Sequence, residues 1–247
     1  MKNKLKVSIF ENLKTILIAL VIAVVIRSLL VQPFYIPSSS MEPTLLVGDR
    51  IFVTKFTYGY SKHSFPFSPP VFNGRLLDSS PKYGDLVVFK TPSDNRTDYI
   101  KRLIGLPGDT IQLKNGEMYL NEKKISRIPI KKNIQIRCGD YNLSVNAFTE
   151  TLPNGKKYVA VYNSNGTMLN TDKYKVPNNY YFFLGDNRDC SKDSRFLSSV
   201  GYVSKNNLVG KAKIVFFSND TYISSVLKIW NWNKSFRISR LFKILWW

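Results

Sequence analysis

Residues 16–26, Ile-Leu-Ile-Ala-Leu-Val-Ile-Ala-Val-Val-Ile, form an unbroken apolar run near the start of the chain. After Arg27 and Ser28 the apolar character resumes at Leu29, Leu30 and Val31. At about 1.5 Å of rise per residue, a helix over residues 7–31 is long enough to cross a hydrocarbon layer of about 30 Å. Arg27 would then lie near one end and reach for the interface. A cleaved leader would need a small-x-small site after the run, but Gln32-Pro33-Phe34-Tyr35 follows instead. The run is therefore expected to be a retained, single-pass anchor. Lys2, Lys4, Lys6 and Lys14 on its N-terminal side put that end in the cytoplasm and the remainder on the exported side.

The remaining residues must then fold beside a membrane, and their charge suits that setting. Lys and Arg number 36 against 17 Asp and Glu, a net charge of +19. Such a surplus suits nucleic acid or anionic lipid headgroups. No zinc-finger spacing, helix-turn-helix signal or RNA-binding aromatic motif accompanies it, so phospholipid is the expected partner and nucleic acid is not. A bias towards Lys and Asn would also produce part of the excess. Cys138 and Cys190 are too few for a disulfide framework, and sequence alone does not say whether they pair. Neither belongs to a metal-ligand cluster, and no cofactor is implied.

Beyond the anchor the chain reads as short strands. Asp49 to Thr57, Gly84 to Lys90, Asp98 to Ile104, Tyr180 to Leu184 and Val209 to Phe217 are β-rich or apolar and bounded by turn residues. A weak hairpin is expected around Asn121-Glu122. From about Thr110 to Pro177 the chain is polar, irregular and rich in Asn and Lys, with no catalytic grouping of its own. The tail interleaves Trp230, Trp232, Phe236, Phe242, Trp246 and Trp247 with Lys and Arg. It has no stretch long enough to span, so it either lies in the interface or packs on the domain as a helix.

Ile36-Pro37-Ser38-Ser39-Ser40-Met41-Glu42-Pro43-Thr44-Leu45 follows the anchor. Two prolines stiffen the segment and bias it away from helix. Its serines suit either an ordinary turn or a nucleophile, and a nucleophile needs a base. The single histidine, His63, sits in a Pro- and Phe-rich loop, and nothing in its surroundings supports a triad. A lysine serves as base only when desolvation lowers its pKa. Lys101 fits, because alternation along a strand groups it with Tyr99 and Leu103 while Ile100, Arg102 and Ile104 take the other face. A solvated strand lysine is the commoner outcome.

Four ordered motifs now come together: Pro-Ser-x-Ser-Met-x-Pro-Thr-Leu, Gly-Asp-x-Val-Val-Phe, Tyr-Ile-Lys-Arg-x-x-Gly-x-Pro-Gly-Asp and Gly-Asp-Asn-Arg-Asp-x-Ser-x-Asp-Ser-Arg. Together with the anchor they resemble bacterial type I signal peptidases, which are Ser-Lys serine endopeptidases. The resemblance implies Ser40 as nucleophile and Lys101 as general base. Ser38 and the Ser40 amide would form the oxyanion site. Ser191 would orient Lys101, and Asp186 with Arg102 and Asp193 with Arg195 would be supporting pairs. Phe34, Ile36, Pro37, Met41, Leu45, Tyr99 and Ile100 would line shallow sites for small residues at −1 and −3 of a signal peptide.

The fold implied is mainly β: a transmembrane helix, then an antiparallel catalytic sheet domain with a smaller inserted β subdomain. The expected boundaries are 1–31 for the anchor, 32–109 with 183–220 for the catalytic domain, 110–182 for the insert and 221–247 for the tail. The location implied is the bacterial inner membrane, with catalysis on the periplasmic side. Ser39 stands where the family usually has Gly, which would cost about 1 kcal/mol if that position needs a positive φ. Cys190 replaces a common Asn. The same dyad would also suit self-cleavage of the kind seen in LexA-like repressors, and without a dyad the chain would be a tethered β adaptor.

Overall fold

The computed structural model describes residues 2–70, 72–139, 141–163, 166, 168–223 and 228–245. Helix α1 spans Lys2–Leu29, and its Phe10–Leu29 portion is long and apolar enough to cross a membrane. Its apolar side chains face outward, with Ile16 and Leu17 each 62% exposed. The helix ends against the domain through two hydrogen bonds: Lys55 N–H to the Leu30 carbonyl at 3.1 Å, and Tyr60 Oη to the Leu29 carbonyl at 2.9 Å.

In chain order the strands are β1 (Val31–Tyr35), β2 (Asp49–Thr54), β3 (Leu86–Lys90) and β4 (Asp98–Gly105). Then come β5 (Thr110–Lys114), β6 (Glu117–Leu120), β7 (Lys123–Lys124), β8 (Ser126–Cys138), β9 (Tyr141–Thr151) and β10 (Lys157–Asn163). The last five are β11 (Tyr174–Lys175), β12 (Tyr180–Leu184), β13 (Val203–Ser204), β14 (Leu208–Ser218) and β15 (Lys243–Ile244). The main sheet runs β1-β2-β14-β3-β4-β12-β13, with β15 added to β14. β11-β5-β6-β7 and β10-β9-β8 form two smaller sheets. The protein is thus mainly β with an apolar N-terminal helix, as the sequence led us to expect.

The faces of β4 divide as alternation requires. Leu103 packs with Val87, Phe89 and Phe183 in one core cluster, with Tyr99 against its edge, and the Phe89 and Phe183 rings stack at 4.7 Å. Ile100 packs against a second cluster holding Ile36, Met41, Leu45 and Val88. Ile104 belongs to a third, with Ile111, Leu120, Tyr158 and Phe182, which joins the main sheet to the smaller sheets.

Two local expectations change. The strand expected to reach Thr57 stops at Thr54, because Lys55 takes a helical conformation and Phe56–Tyr58 turns. Thr54 Oγ1 and Thr57 Oγ1 share a hydrogen bond of 2.6 Å across that turn. The polar stretch expected to be an irregular inserted β subdomain is β, but more regular than expected: it contains a long hairpin, β8–β9, whose register shifts near Pro129 and Asn133. Asn133 has φ 53°, so one residue bulges and the polar-apolar alternation is broken. The hairpin turn expected at Asn121-Glu122 is present, with φ of 51° and 65°.

Among the described residues, the tail holds one short α-helix, α2 (Trp232–Ser235), and folds back on the main sheet. β15 pairs with β14, and Arg240 forms a buried ion pair with Asp49. Trp246 and Trp247 lie outside the described residues.

Candidate active site

Ser40 sits in a single 3-10 turn, Ser39–Met41, between β1 and β2. The turn is held from behind by the loop that follows β12. Asn187 N–H donates to the Ser40 carbonyl and Asn187 Nδ2 to the Ser39 carbonyl, both at 3.2 Å. Gly185 permits this approach: a Cβ there would lie 2.5 Å from the Ser40 carbonyl oxygen and 2.2 Å from Ser191 Oγ. Ser39 follows the turn without a positive φ, so replacing the family's Gly brings no left-handed strain. Its Oγ lies 3.3 Å from Cys190 Sγ.

Lys101, on β4, is 4% exposed, and its Nζ lies 2.6 Å from Ser40 Oγ. Burial drives the ammonium pKa down to about 8, against the opposing pull of the Asp193 and Asp186 carboxylates. The neighbouring Tyr99 ring centroid is 5.4 Å from Nζ. The strand therefore places an amine whose pKa is lowered to about 8 within hydrogen-bond distance of the Ser40 hydroxyl. Ser38 Oγ is 3.3 Å from Ser40 Oγ, on the exposed side of the turn.

The supporting charges are tightly held. Arg102 grips Asp186 with two hydrogen bonds, Nε to Oδ1 at 2.7 Å and Nη2 to Oδ2 at 2.6 Å. Arg102 also donates to the Gly84 carbonyl at 2.9 Å, and Thr44 Oγ1 bonds the Asp186 carboxylate. Asp193 receives Arg195 Nε at 2.8 Å and Nη2 at 2.9 Å, and Gly185 N–H at 3.0 Å. Burial would raise the Asp193 pKa, but the Arg195 charge and these hydrogen bonds hold it below the usual carboxylate range. Ser191 Oγ is buried and makes no well-formed hydrogen bond, to Lys101 or to any other described residue, although its hydroxyl helps keep Asp193 acidic.

A cleft of about 400 Å³ opens beside Ser40 and Lys101. Phe34, Ile36, Pro37, Met41, Tyr99 and Ile100 line it. Leu45 does not: it is fully buried in the core beneath Met41. His63 is also elsewhere, buried with its ring Nδ1 2.9 Å from Ser68 Oγ.

Sequence reasoning missed the polar cluster under the loop. Arg188 forms two hydrogen bonds with Glu150, Nη1 to Oε1 at 3.1 Å and Nη2 to Oε2 at 2.7 Å, and the Tyr158 and Tyr162 hydroxyls also bond Glu150. Glu150 lies on β9 and both tyrosines on β10, in a stretch that had offered no catalytic grouping. Cys138, at the end of β8, forms a disulfide with Cys190 of the same loop. The only sequence signals were an acidic residue amid aromatics and an even number of cysteines.

Comparison with known proteins places the chain in a family. The family model described as signal peptidase, peptidase S26, matches residues 9–217. Signal peptidase I of Rickettsia typhi is 44% identical over 241 residues, covering 91% of this chain and 89% of that protein. Signal peptidase I of Rickettsia canadensis is 41% identical over 252 residues, covering 95% and 93%. A crystal structure of a signal peptidase I from Enterococcus faecalis V583 matches at 25% identity and a TM-score of 0.32, over 54% of this chain and 97% of that one. With the family model spanning residues 9–217 and relatives above 40% identity along nearly their whole length, the chain belongs to the signal peptidase family, peptidase S26.

Proposed function

We propose that the chain is a membrane-anchored serine endopeptidase that removes N-terminal signal peptides from exported precursors through a Ser40–Lys101 dyad. One observation carries the assignment of the dyad: a buried lysine amine, 2.6 Å from Ser40 Oγ, whose pKa is lowered to about 8. The neutral Lys101 amine takes the Ser40 proton as Oγ attacks the scissile carbonyl. Ser38 Oγ and the Ser40 N–H donate to the developing oxyanion, where one such donor is worth about 2.7–4 kcal/mol in other hydrolases. As the tetrahedral intermediate collapses, the Lys101 ammonium returns that proton to the departing amine, the mature protein leaves with its new N-terminus, and an acyl-enzyme remains on Ser40, with Lys101 neutral again. Lys101 then draws a proton from the water that releases the signal peptide.

Arg102 with Asp186 and Arg195 with Asp193 hold the strand and loop that frame Lys101. Ser191 is a positioning residue in the loop after β12, acting on Asp193 rather than through a direct bond to Lys101. The cleft lined by Phe34, Ile36, Pro37, Met41, Tyr99 and Ile100 takes small side chains at −1 and −3. Helix α1 spans the bacterial inner membrane once, with its lysine-flanked end in the cytoplasm and the sheets on the periplasmic side against phospholipid.

The test is processing, by the detergent-solubilised protein, of a precursor with Ala-x-Ala before its cleavage site. The wild type should release the mature protein, while Ser40→Ala and Lys101→Ala should each lose at least about a thousandfold in kcat/KM. Full activity in Lys101→Ala would overturn the dyad.

A further inference from the structure

We propose that a basic hollow at the foot of α1 binds the headgroup of an anionic phospholipid next to the mouth of the substrate cleft. The proposal rests on the reading of α1 as a membrane anchor.

The hollow has a volume of about 520 Å³, and Arg27, Lys55, Lys62, Lys90 and Arg96 border it. Asp94 and Asp98 border it too, but both are engaged. Asp94 is consumed by its own turn, accepting from Thr91, Thr97 and the Arg96 N–H, and Asp98 pairs with Lys90 at 2.9 Å. His63, on the same wall, is held neutral by burial, its pKa lowered to about 4. Among the described residues, the side chains of Arg27, Lys62 and Arg96 have no ion-pair or hydrogen-bond partner.

Lys55 is the most telling of the set. It is 2% exposed, yet its ammonium has a single hydrogen bond, to the Ser64 carbonyl. Burial, reinforced by the Arg27 charge, lowers its pKa to about 8. The one carboxylate acting on it, Asp98, is already paired with Lys90, so this buried cation is short of the counter-charge that buried ions normally require. A phosphodiester in the hollow supplies it.

The position selects a lipid. Arg27 is in the last turn of α1, and Lys55 N–H bonds the Leu30 carbonyl just beyond the helix end. The hollow thus opens where a spanning helix leaves the hydrocarbon, at headgroup depth. Phe67 on its rim is fully exposed, as suits a ring set among acyl chains. Phe34 and Asp98 border both this hollow and the cleft beside Ser40, so a bound headgroup would sit against the path of the substrate.

The test uses full-length Ser40→Ala protein in a neutral detergent, so that binding is read without proteolysis. Short-chain phosphatidylglycerol, phosphatidylcholine of the same chain length and inorganic phosphate are titrated by calorimetry, with the thermal midpoint as a second readout. Phosphatidylglycerol should bind at least about tenfold more tightly than phosphatidylcholine and raise the midpoint. Arg27→Gln combined with Lys62→Gln should weaken it about 25-fold, at roughly a fivefold loss per basic residue. Lys123→Gln with Lys131→Gln, exposed on the smaller sheets, should leave it unchanged. Equal binding of phosphatidylcholine, equally tight binding of phosphate, or undiminished binding in the Arg27/Lys62 variant would overturn the site. Vesicle-reconstituted protein is also washed in alkaline carbonate. Retention there together with a failed titration overturns the headgroup site alone, whereas extraction overturns the anchor reading and the proposal with it.

Discussion

Glu150 on β9 and Arg188 in the loop after β12 are 38 residues apart and form a two-pronged ion pair with both side chains 1% exposed. The Tyr158 and Tyr162 hydroxyls complete the cluster. Burial alone would raise the Glu150 pKa, but the Arg188 charge and these hydrogen bonds bring it below the usual carboxylate range. Removing one member strands the other without compensation. Glu150→Gln and Arg188→Met are each expected to cost about 3–5 kcal/mol in thermal unfolding. Combining them should cost less than the two losses added. Losses under about 0.5 kcal/mol in both single variants would show that the pair carries no structural load.

The Lys101 amine fixes a pH profile. The proposed mechanism requires it neutral for acylation, so kcat/KM should rise about tenfold per pH unit below a midpoint near 8 and then level off. An acidic optimum would exclude this base. Stability has a linked slope. The folded amine gives up its proton near 8, whereas the unfolded one keeps it to about 10.4. Between these values the unfolded chain binds more protons, so the contribution of this group to stability rises with pH across that window and is smallest below about 8. Lys101→Met should abolish that slope and be more stable than wild type at pH 7.

Arg102 and Asp186 should couple. Each alanine variant leaves a buried charge unpaired and is expected to lose about 3–5 kcal/mol, together with activity. The double variant should recover part of that loss. Strictly additive melting shifts would mean the two charges act independently.

The disulfide between Cys138 and Cys190 closes a separation of 52 residues. The chain-entropy model puts its contribution at about 4 kcal/mol. Cys138→Ser with Cys190→Ser should lower the thermal midpoint, and reductant should lower that of the wild type but not of the variant. An unchanged midpoint in the variant would show that the bridge adds no stability.

Much of the site was legible because its parts are local. A Pro-flanked serine turn, a lysine alternating with apolar neighbours and a Gly-Asp-rich loop each announce themselves within about ten residues. The strands bearing them, β4 and β12, are apolar and bounded by turns, so their extents were readable too. The β8–β9 hairpin was not. Its faces carry Lys, Asn and Gln, and the bulge at Asn133 interrupts the period-two signal. Glu150, Tyr158 and Tyr162 gain their role only through Arg188, and the cysteines theirs only through each other. Those are distant pairings fixed by tertiary packing, which no window of sequence contains. Leu45 was misplaced for a related reason: proximity to Ser40 along the chain does not say which side of the turn faces the cleft.

The dyad spans 61 residues, and the loop that grips the Ser40 turn comes another 80 or so residues after Lys101 along the chain. Until that loop has closed over the turn, and the hairpin has locked it through Glu150 and Cys138, Lys101 stays in water and keeps its proton. On the proposed mechanism, a chain whose loop has not yet closed therefore carries Ser40 in an unreactive form. On the same reading, closure of that loop does the service that removal of a pro-segment does in other proteases: it completes the site only once the last third of the sequence is in place.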